Sequence, residues 1–413
     1  MKIDTFRALK NRNYRLYFSG QSVSQIGTWM QRTAVSWLIY TMTHSTFMLG
    51  VSVFASQFPS FLFSLYGGVI SDRFDRYKIV LTTQTVAMLQ GISLAVLVFT
   101  GHYKVWEILS FSVVLGISNA FDVPARQPMV HEMIDNKNDL SNAIALNSSM
   151  NNLARLAGPA LSGLVLVKFG AGFCFLLNAL SFLCVIVSLL LMKLPAHVPT
   201  PVKKDLRAEY AEGFAYLRRT PAIGMVILML SLTSLLVLPY NTLLPVFAKV
   251  IFKGNAATFG YISSFIGLGA VSGAYFLASL QRGANLKKVL FYNTLILGVG
   301  LILFSHISNF PLAMFFAVFC GFGTMSQTSV SNTIVQLESE KNMRGRVISY
   351  LTTAVYGMLP LGSLLIGFVS RHIGAPNSLL CTGVLALVVA ASFSGFLLDQ
   401  HTDTSKTEHT NHS

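Results

Sequence analysis

The sequence predicts an all-α membrane protein: twelve transmembrane helices in two pseudo-symmetric six-helix bundles. Three observations lead there. Only 11% of the 413 residues are charged and 53% are hydrophobic, with a mean hydropathy of +0.59, whereas a soluble domain carries roughly 25% charged residues. Apolar windows of about 20 residues recur along most of the chain. The stretch after the fourth window also repeats. Met129-Val130, Lys137-Asn138 and Ile144 align with Thr333-Ile334, Lys341-Asn342 and Ile348 at one offset, close to half the length, as a parallel repeat of two bundles requires.

The first six windows fall near residues 14–40, 47–70, 79–100, 105–127, 142–167 and 171–192. The second six fall near 222–247, 257–280, 286–305, 310–336, 347–370 and 376–398. Each is long enough to cross the hydrocarbon as a helix. An even count puts both termini on one side, and the loop charges choose it. Lys2, Arg7, Lys10, Arg12, Arg15, Arg73, Arg76, Lys78, Lys203, Lys204, Arg207, Arg218, Arg219, Arg282, Lys287, Lys288, Lys341, Arg344 and Arg346 share that side. The other holds only Lys104, Lys168, Lys249, Lys253 and Arg371. The positive-inside bias makes the richer side cytoplasmic. The charged leader has no clear cleavage site and runs into a span too long for a signal peptide.

Residues 1–192 and 222–398 are the expected bundles, 193–221 a polar linker and 399–413 a polar tail expected to be disordered. In the linker Leu206, Tyr210, Gly213, Phe214 and Leu217 recur at helical spacing among basic residues. That pattern fits a helix lying on the cytoplasmic membrane surface or, equally, a solvated one. Cys174, Cys184, Cys320 and Cys381 sit in apolar runs without ligand spacing, and His401, His409 and His412 are too loosely spaced for a metal site. No metal and no cofactor are expected. The net charge of +14 lies in short loops rather than on an aromatic-lined face, which argues against nucleic acid. No nucleophile constellation, phosphate loop or dinucleotide fingerprint supports an enzyme.

The polar residues inside the spans are the candidate machinery, since an ion in hydrocarbon costs at least ~2.5–3.5 kcal/mol. Gln21, Gln25, Thr28, Arg32 and Ser36 step along one face of the first span, a stripe expected to face a wet cavity. Asn147, Asn151 and Arg155 do the same on the fifth, and Asn119, Asp122 and Arg126 on the fourth. Arg155 is expected either to act in coupling or to serve within the first half as a carbonyl clamp or a structural ion pair, with Asp122 as the available acid. Arg32 has no evident acidic partner, which points to an anionic ligand or to solvation by cavity water. Asp122 is the one acid clearly inside a span; burial raises its pKa and a nearby Arg126 or Arg155 lowers it, so relative motion can switch its protonation. The alternative is a bracing carboxylate, with Pro124 ending the helix soon after. In the second half Tyr240, Asn241, Gln327, Tyr350 and Tyr356 suit a bulky amphipathic ligand or serve as helix-packing contacts.

Gly67-Gly68, then Asp72-Arg73, Asp75-Arg76 and Lys78, packs five charges and two glycines between the second and third spans. The glycines allow close helix approach, and Asp72 suits the positive end of a nearby helix. The pattern Gly68-x-x-x-Asp72-Arg73-x-x-Arg76 with Lys78 resembles the signature loop of the major facilitator superfamily. Met42-Thr43-His44-Ser45-Thr46, Phe121-Asp122-Val123-Pro124-Ala125-Arg126-Gln127 and Ala154-Arg155 through Gly158-Pro159 to Gly163 resemble a bacterial exporter branch of that superfamily, which includes enterobactin exporters and macrolide-efflux proteins.

The resemblance implies the major facilitator fold, a place in the bacterial inner membrane and a cytoplasmic gate latch at Asp72, Arg73, Arg76 and Lys78. It further implies that Gly158, Pro159 and Gly163 bend the fifth helix and seal one side, which favours export. Two departures stand out. The upstream glycines of the fifth-helix motif are absent, and the fourth helix has no arginine near Ser112 where drug antiporters carry one. The segment from Gly273 to Arg282 lacks the Asp-Arg pair, so the latch is expected to be one-sided. The reading is a monomeric, proton-coupled exporter of a siderophore-like or drug-like amphipathic molecule working by alternating access. The alternatives are a lipid or lysophospholipid translocator and a non-transporting membrane sensor.

Overall fold

The computed structural model describes residues 6–134, 136–193, 206–281, 283–340 and 342–398. Lys2, Lys203, Lys204, Arg282, Lys341 and the tail 399–413 lie outside them. Among the described residues every regular element is helical. The first half contains α1 (Arg12–Thr43), α2 (Thr46–Arg73), α3 (Arg76–Phe99), α4 (Val105–Glu132), α5 (Leu140–Phe169) and α6 (Ala171–Leu191). The linker supplies α7 (Leu206–Arg219). The second half contains α8 (Pro221–Leu236), the three-residue α9 (Leu244–Val246), α10 (Ala256–Ser279), α11 (Leu286–Ser305), α12 (Phe310–Glu338), α13 (Arg344–Ile373), α14 (Ala375–Ser392) and the short α15 (Ser394–Leu398).

Side-chain caps set several starts. Ser45, Asp75, Asn255, Asn285 and Asn309 each accept from first-turn amides of α2, α3, α10, α11 and α12, satisfying donors the helix itself leaves free. Gly170 joins α5 to α6 at φ +84°, and Gly374 joins α13 to α14 at φ +82°. These left-handed joints favour glycine, and they stand at the same offset as the sequence repeat.

Ten described helices, or helical stretches in the case of 221–251, are long and apolar enough to cross a membrane. α1 and α5 match them in length but fall outside that set, because they carry the polar stripes. Two expected helices differ. α4 does not end near Pro124 but continues through Pro124 and Pro128 to Glu132. The seventh window is broken: a 3-10 stretch Leu238–Leu243, α9 and a π turn Phe247–Ile251 follow α8, with Pro239 and Pro245 removing backbone donors.

Within the first half α1 packs on α5 and α6, α2 on α4, and α3 on α4 and α6. In the second half α8 packs on α13, α10 on α12, and α11 on α12 and α14. Two seams join the halves, α5 with α10 and α2 with α13. Several close backbone approaches lie at one end. Gly163 faces Ala256 and Gly260, Gly50 faces Ser363, and Gly367 faces Thr46, whose hydroxyl donates to Gly367 O at 2.9 Å. That end is remote from the arginine-rich loops. Toward the basic end Tyr66, Asn151 and Tyr356 are exposed.

α7 docks on the second half. Glu212 pairs with Arg346 at 2.8 Å, the Glu340 amide donates to the Tyr216 hydroxyl at 3.2 Å, and Gly213 faces the Tyr350 ring. Tyr350 therefore meets the linker helix, the helix-packing alternative of the two the sequence left open.

Candidate functional site

Arg32 on α1 and Arg155 on α5 meet across Trp29. Each guanidinium carbon lies 5.4 Å from the Trp29 ring centroid, within cation–π range. Arg32 is exposed to the space between the halves and Arg155 is half-buried. Arg155 reaches across to the second half, where its hydrogen-bond contact is Met325 Sδ at 3.8 Å, a weak acceptor. Tyr356 is within electrostatic reach of both arginines, and Tyr240 of Arg155. Among the described residues neither arginine forms an ion pair. Arg32 thus has no acidic partner among the described residues, and Arg155 does not pair with Asp122.

Asp122 has other partners. It is 3% exposed and pairs with Arg126, one turn later on α4, at 3.0 Å. Gln84 Nε2 and the Thr83 hydroxyl on α3 donate to it at 2.9 and 3.1 Å. Tyr17 on α1 lies within electrostatic reach of both ions. The buried carboxylate is thus surrounded by a cation on its own helix and two neutral donors on α3. Thr83, Gln84 and Tyr17 escaped sequence reading, since a hydroxyl or amide in an apolar span carries no pattern of its own.

The other stripe residues divide. Asn151, Asn241 and Tyr356 are exposed, Gln25, Asn119 and Asn147 are half-buried, and Gln21, Tyr240 and Gln327 are buried. Asn147 accepts from the Tyr14 hydroxyl at 3.1 Å and so braces α1 against α5. Tyr240 meets the Thr324 hydroxyl at 3.4 Å. Gln21 and Gln327 keep buried amide atoms without partners, so neither lies in an open stripe. A separate amide chain, also unforeseen, ties three helices: Asn178 donates to Gln31 at 2.7 Å, and Gln31 to Gln90 at 3.2 Å.

At the signature loop, Gly67 packs directly on Ala120 O, while a side chain at Gly68 meets nothing within 4 Å. Close approach thus belongs to Gly67 alone. The carboxylate at a helix start is Asp75, which accepts from the Tyr77 amide at 3.0 Å, not Asp72. Arg76 bridges α3 to α4 through Glu132 at 2.7 Å and reaches Asp72 at 3.7 Å. Arg73 and Lys78 are exposed. The second half has a corresponding brace, Lys287 to Glu338 at 3.4 Å between α11 and α12. It joins two second-half helices without the Asp-Arg pair that the segment from Gly273 to Arg282 lacks. On α5, Gly158 backs onto Trp29, and Pro159 O and Gly163 face Gly260. The motif lies in the seam, and α5 continues through Pro159 to Phe169.

Two six-helix halves around a central space with intramembrane charges define a transporter of the major facilitator type. The chain belongs to the transmembrane secretion effector family of that superfamily, whose model matches residues 3–412. It is 24% identical to the staphyloferrin A transporter of Staphylococcus aureus (strain NCTC 8325 / PS 47), covering 92% of this chain and 95% of that one. Identity is 21% to macrolide efflux protein A of Streptococcus pyogenes, over 92% and 96%. It is 24% to the enterobactin exporter of Escherichia coli O81 (strain ED1a), over 93% of each. Among solved structures, a POT family transporter in complex with 5-aminolevulinic acid superposes with a TM-score of 0.76 at 13% identity, over 94% of this chain and 97% of that one. A bacterial homologue of the human lysosomal transporter Spinster, inward-facing and unoccupied, gives 0.70 at 14%, over 93% and 97%. These two likenesses establish the fold. The chain is a multi-pass membrane transporter and not an enzyme.

Proposed function

We propose that this protein is a monomeric, proton-coupled exporter of an amphipathic, siderophore-like or drug-like small molecule bearing an anionic group. It works by alternating access in the bacterial inner membrane, with both termini cytoplasmic. The relatives named for siderophore transport, enterobactin export and macrolide efflux support the substrate range. The observation that carries the coupling is Asp122, a buried acid whose ion is held by Arg126, Thr83 and Gln84. Its protonation from one side loosens α4 from α3, and its deprotonation restores the clamp. The basic end, open between the halves, is the side from which substrate enters, and the glycine-lined seams close the other. Asp72, Arg73, Arg76 and Lys78 are the latch, with ion pairs among the described residues only inside the first half. The test is accumulation of candidate siderophores and macrolides in cells with and without the protein. Lower accumulation that a protonophore abolishes supports the reading, and protonophore-insensitive efflux overturns the coupling.

One observation favours a second reading. An apolar groove of about 580 Å³ runs between α2, α3 and α4, lined by Ile70, Phe74, Ile79, Val86, Val114 and Phe121 with Lys78 at its rim. A lysophospholipid translocator would use such a groove. Uptake of a fluorescent lysophospholipid by vesicles containing the protein distinguishes the two.

A further inference from the structure

Arg32 and Arg155 both lie against the Trp29 ring, and their separation is at most twice the 5.4 Å that each keeps from its centroid. Both sit in the membrane's interior. Neither has a carboxylate partner among the described residues, and they repel each other. Arginine does not escape this by losing its proton. While the cavity is open, water solvates both cations. When the halves close and water leaves, each charge needs its own counter-charge. A ligand with one anionic group neutralises one arginine and strands the other. The wall opposite is neutral, formed by Tyr240, Tyr356 and Met325, and supplies no second anion.

We infer that the substrate carries two oxyanionic groups on a spacer, one gripped by Arg32 and the other by Arg155. This rests on the transport reading above and narrows its substrate class. A guanidinium held over an indole keeps its in-plane N–H donors free for a bidentate grip on an oxyanion. Trp29 is then the residue that fixes the spacing between the grips. Gly158 packs against Trp29 and so holds that spacing between α1 and α5 within the first half.

The test uses the full chain in lipid nanodiscs. Trp37→Phe and Trp106→Phe leave Trp29 as the one indole emitter. Quenching of its emission and the ligand-induced rise in unfolding temperature report binding of α,ω-dicarboxylates from succinate to dodecanedioate. Monocarboxylates of matched length and tetraphenylphosphonium serve as comparisons. At one preferred length the dicarboxylate binds about tenfold or more tightly than its monocarboxylate, as one extra charge-assisted contact predicts. Arg32→Gln and Arg155→Gln each erase that gap, and lysine at either position restores part of it. Equal binding of mono- and dicarboxylates at every length, no dicarboxylate binding, preference for the cation, or a gap that survives either substitution overturns the inference. The comparison on unsubstituted arginines stands if a variant does not fold. Protonophore-sensitive efflux without a dianion preference sinks this inference alone; the preference without efflux sinks only the transport reading.

Discussion

Asp122 and Gly67 are residues whose roles rest on single contacts. Asp122→Asn keeps the side-chain shape but removes the charge that Arg126 balances, leaving a buried cation unpaired. Substrate-driven proton movement into proteoliposomes should disappear, and transport against a gradient with normal proton uptake would refute the assignment. The two glycines make a paired control. Gly67→Val drives a side chain into Ala120 O and should cost about 1–3 kcal/mol, lowering the unfolding temperature in detergent. Gly68→Ala meets open space and should stay within about 0.5 kcal/mol. Asp122 was legible in the sequence because an acid within a span is rare. Its partners on α3 were not, since nothing in sequence couples positions 83 and 84 to position 122.

Helices meet through braces that repeat in both halves. Arg76–Glu132 clamps α3 to α4, and Lys287–Glu338 clamps α11 to α12. These pairs are partly exposed, so each adds no more than about 1 kcal/mol to stability. Their geometric role is testable by charge swap. Arg76→Glu or Glu132→Arg alone should reduce transport, and the two together should restore most of it, which a double-mutant cycle measures as coupling. Additive losses would mean that the pair only marks topology. The first-half brace was partly readable, because the signature loop names Arg76 but not Glu132. The second was hidden, because a lysine and a glutamate on different helices carry no motif. The break after α8 was likewise obscured: an apolar run containing Pro239 and Pro245 is compatible with either a kinked helix or a sequence of short turns.

Across the whole molecule, the halves touch through glycines toward the end remote from the basic loops. Gly260→Leu or Gly367→Leu places a side chain where Pro159 O or Thr46 now sits. Either should spread the closed end, seen as longer spin-label distances across it, and cut transport at least about tenfold. Unchanged distances would show that the seam adapts. A cysteine replacing the exposed Tyr356 should react with a membrane-impermeant maleimide added from the basic side; reaction only from the other side would reverse the orientation. The sequence by itself determined the helical membrane class, the doubling and the richer loop side, because apolar length, repeat offset and charge bias are properties of the chain in one dimension. It also marked the polar stripes of α1 and α5. Only the tertiary structure decided that Arg155 turns away from Asp122 toward Trp29, that Gln21 and Gln327 are buried, and that Arg32 and Arg155 face one cavity. Those outcomes depend on which helix faces approach across hundreds of residues of separation, and side-chain spacing along one helix carries no record of its neighbour.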